Sequence, residues 1–226
     1  MKSIKKFIAI ILCIGIVFLC GCNKNASEDG KKIAYGFEFP HELDYKVTIE
    51  DCYLYSGEFV EDGTFDACED VVALKVKNDS GSDIQFLRIK ATTNSKEMIF
   101  EISSFLSGST VVVLEKSKQS LSEKEKILSF QRENRADFDA NVSLKEELFV
   151  VQGNLATINI QNISDTEIES DFYVYYKKKD ADGNYLGGVT FRTRVEGGLK
   201  TDEIKQLSAA AFDPSDSEVL FVDYAG

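Results

Sequence analysis

The chain has 226 residues, of which 43% are hydrophobic and 28% are charged. Its 38 acidic residues outnumber the 26 basic ones, and the formal net charge is −12. A protein this acidic is repelled by phosphate groups, so nucleic acid is a poor partner. Only one histidine, His41, is available for a catalytic triad or a histidine-based zinc site.

The N-terminus has the pattern of an export signal. Three lysines and no acid precede an apolar run of 14 residues, Phe7 to Cys20. That run is shorter than the roughly 20 residues that a helix needs to cross a bilayer. A basic start followed by a short apolar core is typical of a secretory signal peptide. We therefore expect residues 1–21 to be a signal peptide, the alternative being an uncleaved membrane anchor.

The apolar run ends in Leu19-Cys20-Gly21-Cys22, which resembles the lipobox of bacterial lipoproteins. The resemblance implies that the thiol of Cys22 receives a diacylglyceryl group and that the chain is cut before it. Two acyl chains hold a protein stably at a membrane, because each buried methylene contributes about 0.8 kcal/mol. The resemblance thus implies a lipid-anchored protein at the extracytoplasmic face of the cell membrane. Removing residues 1–21 takes away three lysines and no acid, so the net charge goes from −12 to −15.

The part of the chain after Cys22 divides into a polar stretch and a strand-rich body. We predict a lipidated, flexible tether over residues 22–43. From residue 44 onward, short runs rich in β-branched and aromatic residues alternate with turn residues, which predicts β-strands. The segment 115–140 is ambiguous. Ser122 and Glu125 resemble a capping box there, so a short helix is an alternative.

The second half of the chain repeats the first. Ile158–Asn162 matches Leu74–Asn78, and each asparagine is followed by a serine-containing turn and then an isoleucine. The other matched segments are Val142–Leu144 with Val47–Ile49, Phe172–Lys177 with Phe86–Lys90, and Leu199 with Leu106. We predict an all-β fold of two tandem antiparallel Ig-like β-sandwich modules, over residues 44–139 and 140–226. One elongated sandwich is the alternative.

The second half also resembles a known family. Residues 154–224 contain a strand ending in Asn162, the aromatic strand FYVYYK, an Asp-x-Asp-Gly hairpin, a Gly198-Leu199 turn and a final strand. This order is similar to the FxLYD-type and related Ig-like modules of bacterial surface proteins, and residues 72–130 show a weaker form of it. The shared positions are turns and core residues, so the resemblance implies a fold and no catalytic residue. The lysines at 177–179 depart from the family pattern.

Two cysteines, Cys52 and Cys68, remain in the body of the chain. An even pair in an exported protein predicts a disulfide. It would close a loop of about 16 residues and contribute roughly 3 kcal/mol. It would also attach the extra loop of the first module to its first strand. Two buried thiols are the alternative.

Four basic residues form a candidate binding face. Arg88 and Lys90 lie at alternate positions on one predicted strand, and Arg192 and Arg194 do so on another. Each pair therefore shares one face of its strand. Such a face is either the solvated side of a sheet or a basic contact for an anionic glycan or protein partner.

Two further motifs suggest metal chemistry but favour simpler interpretations. Asp180–Asn184 begins like a calcium loop, yet Tyr185 and Phe191 stand where an EF-hand needs glycine and glutamate. We predict a hairpin turn there. His41 follows a proline, and we expect it to be solvated or packed. The sequence predicts neither a metal nor a cofactor.

These observations favour a non-enzymatic surface module of a bacterium, lipid-anchored in the cell envelope. It would bind or present an envelope protein or a glycan. This step uses fold-level analogy. An accessory lipoprotein subunit of a membrane transport or secretion complex is the alternative. A hydrolase of wall polymers is a third hypothesis, which requires a carboxylate pair in a cleft.

Overall fold

A computed structural model describes residues 37–224. These residues form thirteen strands and no helix, which confirms the predicted all-β class. Within this range there is no helical segment with the length and apolarity that crossing a bilayer requires. The predicted signal peptide and Cys22 lie outside the described residues. The strands are β1 His41–Asp44, β2 Val47–Phe59, β3 Asp66–Asn78, β4 Ile84–Thr93, β5 Glu97–Phe105, β6 Thr110–Leu114, β7 Ile127–Asp137, β8 Phe149–Asn154, β9 Thr157–Asn162, β10 Phe172–Lys179, β11 Tyr185–Val195, β12 Ile204–Ser208 and β13 Ser217–Tyr224.

The strands form three sheets. One has seven strands in the order β1-β2-β3-β6-β11-β10-β13, and two have three strands, β5-β4-β7 and β12-β9-β8. Neighbouring strands are antiparallel except for β6 and β11, which run parallel. That parallel ladder has only two residue pairs, Tyr185 with Val111 and Leu186 with Val112.

The same strand order occurs twice along the chain. In the first half, β2-β3-β6 faces β5-β4-β7, and in the second half β8-β9-β12 faces β11-β10-β13. The two sets are joined edge to edge by the β6–β11 ladder, and β1 extends the first set at its other edge. The repeat read from the sequence therefore corresponds to a repeated topology. The proposed module boundaries at residues 139 and 140 stay a prediction.

A buried asparagine ends the central strand in each half. Asn78, at the end of β3, is fully buried. Its Nδ2 donates to the carbonyl oxygens of Ser82 and Phe105, at 3.0 and 2.9 Å. Its Oδ1 accepts from the backbone N and the Oγ of Ser80, at 3.1 and 2.6 Å. One side chain thus fixes the turn after β3 and joins it to the end of β5.

Asn162 does the same at the end of β9. It is also fully buried, and its Nδ2 donates to the carbonyl oxygens of Thr166 and Leu199, at 2.8 and 3.0 Å. Its Oδ1 accepts from the backbone N and the Oγ of Ser164, at 2.9 and 2.7 Å. The predicted match between the two Asn-x-Ser turns is therefore confirmed at the level of individual hydrogen bonds.

Two other predicted matches are corrected by the hydrogen bonds. The carbonyl oxygen that accepts from the asparagine belongs to Phe105 in the first half and to Leu199 in the second. Phe105, and not Leu106, is therefore the residue equivalent to Leu199. The first-strand match is also misplaced. Phe149 pairs with Asn162 as Val47 pairs with Asn78, and so β8 corresponds to β2. Residues 142–144 belong to no strand.

Two hydrophobic clusters lie between the facing sheets. The first contains side chains from β2 to β7, and the second contains side chains from β8 to β11 and β13. A third cluster covers the opposite, outer face of β2-β3-β6 and includes Phe59, Val71, Ala73, Val112 and Leu114. Burial on both faces explains the continuous apolar runs of β3 and β6, whereas one-sided burial gives alternation.

The predicted tether ends earlier than expected. Phe37, Phe39 and Leu43 pack against the first hydrophobic cluster, and the ring of His41 lies 5.3 Å from that of Phe37 and 5.9 Å from that of Phe130. Residues 37–43 are therefore part of the folded body. Apolar side chains at 37, 39 and 43 provide the burial that a flexible tether lacks. Of the two alternatives expected for His41, solvated or packed, the ring contacts show the packed one.

The ambiguous segment contains a turn followed by a strand. Glu125 Oε2 accepts from the backbone N of Ser122 at 2.8 Å, and Glu125 N donates to the carbonyl oxygen of Ser122 at 3.0 Å. One of the two side-chain bonds of a capping box is thus present, but it closes a single turn, and β7 begins at Ile127. The short-helix alternative is wrong because the following residues extend into a sheet.

Candidate functional site

A buried, densely hydrogen-bonded polar site lies where the two halves meet. Two residues beyond the last pair of the β6–β11 ladder, the carboxylate of Glu61 accepts hydrogen bonds from one backbone amide of each strand. Its Oε1 accepts from Leu114 N at 2.8 Å and from Gly188 N at 2.9 Å, and its Oε2 lies 3.0 Å from Gly188 N. Glu61 comes from the loop between β2 and β3. We use the term seam for the β6–β11 ladder together with Glu61 and Lys177.

Lys177 completes the seam from β10. Its side chain is fully buried, and its Nζ donates to the carbonyl oxygens of Gly187, Gly188 and Val189 at 3.3, 3.0 and 2.9 Å. An ammonium group has three donors, and all three find acceptors here. A shift in the β10–β11 register next to Tyr176 places two consecutive β10 residues, 176 and 177, in the interior.

The seam perturbs both of its ionisable groups. Burial lowers the pKa of Lys177 to about 7, and the negative charge of Glu61 opposes that shift. Burial also raises the pKa of Glu61, and this shift is opposed by the backbone amides of Gly188 and Leu114 and by the charge of Lys177. Removing one partner of such a pair leaves the other charge buried without compensation, which is strongly destabilising.

A glycine permits three strands to approach at the seam. A Cβ on Gly188 would lie 1.8 Å from the carbonyl oxygen of Glu101, so β5 crosses β11 in direct backbone contact. Ser103 Oγ donates to the Gly188 carbonyl oxygen at 3.1 Å, and Thr190 Oγ1 donates to the Ser103 carbonyl oxygen at 2.8 Å. Only glycine fits at position 188 while this crossing is kept.

A half-open cleft of about 170 Å³ lies beside the seam. It is large enough for a few water molecules, each of which takes about 30 Å³ in the liquid. The Glu101 carboxylate in it is ion-paired with Lys116 and lies 3.4 Å from Arg88 Nε. Its lining residues are Glu61, Phe86, Glu101, Ser103, Leu114, Lys116, Gly188 and Val189.

The extra loop of the first half is fixed by contacts with the second half. Phe65 stacks on Phe191 with ring centroids 5.6 Å apart, and Lys178 Nζ lies 5.1 Å from the centroid of the Phe65 ring. Val60 is fully buried, and a Cβ on Gly187 would lie 2.1 Å from its Cγ2. The loop therefore packs on β10 and β11, in addition to supplying Glu61.

The predicted disulfide between Cys52 and Cys68 is not present in the structure. Cys52 belongs to the first cluster between the sheets, whereas Cys68 belongs to the third cluster on the outer face. Residues that face opposite sides of a sheet direct their Cβ atoms apart, so their sulfurs cannot bond. Both side chains are buried, as in the alternative interpretation. The seam and its loop contacts fix the insertion that the disulfide was expected to hold.

The first basic pair of the predicted binding face is neutralised by acids. Arg88 Nε lies 3.4 Å from Glu101 and 3.6 Å from Glu133. Lys90 Nζ lies 3.3 Å from Glu133 and 3.4 Å from Glu97. The two basic residues share Glu133 and do not present a net positive surface.

The second basic pair also has partners within the chain. The guanidinium of Arg192 lies 4.5 Å from the centroid of the Tyr173 ring. Arg194 bonds to the carboxylate of Asp171, with its Nε at 3.1 Å, and this pairing lowers the pKa of Asp171. Ion pairing and cation–π contact thus engage this pair locally.

The calcium-like motif forms the predicted hairpin turn. Asp180 Oδ1 accepts from the backbone N of Asp182 and Asn184, at 3.0 and 2.8 Å, and Gly183 has a φ of 82°. A positive φ of this size favours glycine. Among residues 37–224 there is no group of three or more histidine, cysteine, aspartate or glutamate side chains that is arranged to hold a metal ion.

Sequence reasoning identified neither member of the Glu61–Lys177 pair. One feature of the sequence pointed to Lys177: it follows the apolar run 172–176 and departs from the pattern of the Ig-like family that the second half resembles. Glu61 gave no signal, because it is one of 38 acids and its partners are 53 and 127 residues away in the chain.

No protein-family model matches this chain, and no curated protein or solved structure shows a significant similarity to it.

Proposed function

We propose that this protein is a non-enzymatic, lipid-anchored surface module of a bacterium. It is held at the extracytoplasmic face of the cell membrane, where it binds or presents a partner of the cell envelope. The observation that carries this proposal is the tetrapeptide Leu19-Cys20-Gly21-Cys22 at the end of a 14-residue apolar run with a basic start.

The chemistry of the seam supports a structural role of the Glu61–Lys177 pair over a catalytic one. Lys177 and Glu61 have perturbed pKa values, which are common in active sites. Here, however, the backbone occupies the hydrogen-bonding groups of both side chains. A nucleophile or a general base needs a free approach to its substrate. We therefore assign the pair to holding β11 beside β6.

The negative charge of the processed chain supports a position of the folded residues away from the membrane surface. After cleavage before Cys22 the net charge is −15, since the three removed lysines are not balanced by acids. Such a body is repelled by anionic lipid headgroups and by phosphate-rich polymers. The lipid on Cys22 then provides the membrane attachment, and the folded residues remain available to partners.

Acylation of Cys22 is tested in cells that are fed a palmitate analogue carrying a reactive handle. We expect the wild-type chain to be labelled and membrane-bound, and Cys22→Ala to be unlabelled and either released or left uncut. Cys20→Ala is the matched control, because it removes a neighbouring thiol while keeping the small residue at that position. Unchanged labelling and processing of Cys22→Ala would contradict the proposal.

A further inference from the structure

One sheet face of this acidic protein carries no charge. The outer face of β12-β9-β8, opposite the second hydrophobic cluster, consists of the outward-pointing residues of three strands. The residues that alternate with them along the strands, such as Ile158 and Ile160, point inward and are fully buried. We call this outer surface the amide face. Its residues are Val150, Gln152, Asn154, Thr157, Asn159, Gln161, Ile204, Gln206 and Ser208.

The strand register places the amides in rows. Asn159 lies opposite Gln152 on one side and opposite Gln206 on the other, so three amides form a row across the sheet. Adjacent strands are about 4.8 Å apart, and the spacing in the row is therefore regular. In the next row Gln161 lies between two exposed aliphatic side chains, with 50% of Val150 and 62% of Ile204 accessible.

The amides of this face have no partners within the described part of the chain. The side chains of Gln152, Asn159, Gln161 and Gln206 make no hydrogen bond with any group of residues 37–224. Each amide can donate two hydrogen bonds and accept two. Their bonding capacity therefore remains open to an external partner, unlike that of Asn78, which is fully used inside the fold.

The equivalent face in the first half is already covered. There outward-pointing apolar residues of β2-β3-β6 are buried, and they form the third cluster together with Leu186 of β11. The six-residue loop 60–65 joins β2 to β3 and bonds β6 and β11 through Glu61, whereas β8 and β9 are joined by the two residues 155–156. The fold thus leaves only one of two equivalent faces open within residues 37–224.

We propose that the amide face binds a neutral polysaccharide. A polyanion is repelled by a chain of net charge −12, and a cationic partner finds no carboxylate on this face. Hydroxyl and acetamido groups both donate and accept hydrogen bonds, so they complement a row of amides. The aliphatic pair Val150 and Ile204 provides contact for the C–H surfaces of sugar rings. This inference rests on the proposed function, for which it names the partner class.

The test measures retention of the purified full chain in detergent on insoluble polymers. Chitin and cellulose are the neutral probes, and cross-linked polygalacturonate is the acidic one. We expect retention on at least one neutral polymer and none on polygalacturonate. The variant Gln152→Glu/Asn159→Asp/Gln206→Glu keeps the side-chain shapes and adds three charges. It should bind the neutral polymer at least about tenfold more weakly, because three hydrogen-bonding groups change together.

The matched control places the same substitutions on an exposed surface of the first half, as Gln85→Glu/Gln131→Glu/Asn134→Asp. We expect its retention to stay within about twofold of wild type. Equal retention of the two variants would overturn the proposal, as would a wild-type chain that binds neither neutral polymer.

Light scattering on the same samples identifies the rival occupant, a second copy of the chain. A dimer that dissociates in the amide-face variant, with polymer retention unchanged, would overturn the polysaccharide assignment. The binding assay does not depend on acylation. Loss of polysaccharide binding with labelling of Cys22 intact would therefore reject the amide face alone, and leave the proposed anchoring in place.

Discussion

The two halves of this protein have the same strand order, but the equivalent sheets β2-β3-β6 and β8-β9-β12 differ in what covers their outer face and edge. In the first half, the outer face of β2-β3-β6 is covered and its edge strand β6 is joined to β11. In the second half, the face of β8-β9-β12 is uncharged and open, and β12 lies at the edge of its sheet. The hairpin loop accounts for the difference at the edge, since 60–65 supplies Glu61 and Phe65 as contacts with the second half, whereas the equivalent loop has only the two residues 155–156. A few inserted residues are thus enough to convert a free sheet edge into a joint.

The largest effect is expected from the two buried asparagines. Asn78→Ala and Asn162→Ala should each lower the free energy of unfolding by about 2–4 kcal/mol, because each leaves buried carbonyl groups without a donor. Urea unfolding measures both values. If the halves are equivalent, the two costs agree within about 1 kcal/mol. The exposed Asn134→Ala is the control, with an expected change within about 0.5 kcal/mol. A cost below that of the control at either buried site would refute the equivalence.

The next effect is the pH dependence of the seam. The pKa of Lys177 is about 7 in the folded chain, compared with the ordinary value of 10.5. Between these two pH values the unfolded chain holds a proton that the folded chain lacks, so the contribution of Lys177 to stability rises with pH from about 7 to 10.5. We expect the stability difference between wild type and Lys177→Met to grow in favour of wild type over that range. Unfolding free energies measured from pH 6 to 10 test this.

The neighbouring Lys178 is the matched control for the pH measurement. Burial lowers its pKa, but the ion pairs with Glu58 and Asp216 together outweigh burial, so the pKa is raised above the ordinary value. Its contribution is therefore fully present below about pH 10.5 and is lost only above that value. Lys178→Met should show no change in its stability difference between pH 7 and 10. A rise for Lys178→Met equal to that for Lys177→Met would show that the effect is not specific to the seam.

The smallest effect is expected from reductant. Since Cys52 and Cys68 lie on opposite faces of the β2–β3 hairpin, dithiothreitol should leave the urea midpoint unchanged. A disulfide between them would contribute roughly 3 kcal/mol, and this would be lost on reduction. Alkylation of the unfolded, unreduced chain should modify both thiols, as measured by mass. If the two thiols resist alkylation until the chain is reduced, the disulfide exists and this prediction is wrong.

The sequence was informative wherever the determining contacts are local. The Asn-x-Ser turns at 78 and 162, the Asp180 hairpin and most strands follow from short-range patterns, and the structure has them. The Glu61–Lys177 pair was not predictable, because it depends on a loop of one half reaching a strand of the other. The amide face is visible in the sequence only as polar residues that alternate with apolar ones in β8, β9 and β12. The pairing register between these strands, which places the amides in one row, had to come from the structure.

We expect the seam to make the two halves a single cooperative unit. Native-state hydrogen exchange of the β3 and β9 amides, in wild type and in Glu61→Gln, tests this most directly. In wild type at pH 7 we predict the same opening free energy for both strands. In Glu61→Gln we predict values that separate by more than about 1 kcal/mol, because a buried amide loses its acceptor and Lys177 loses its counter-charge. Separate opening of the two strands in wild type, unchanged by the substitution, would contradict this expectation.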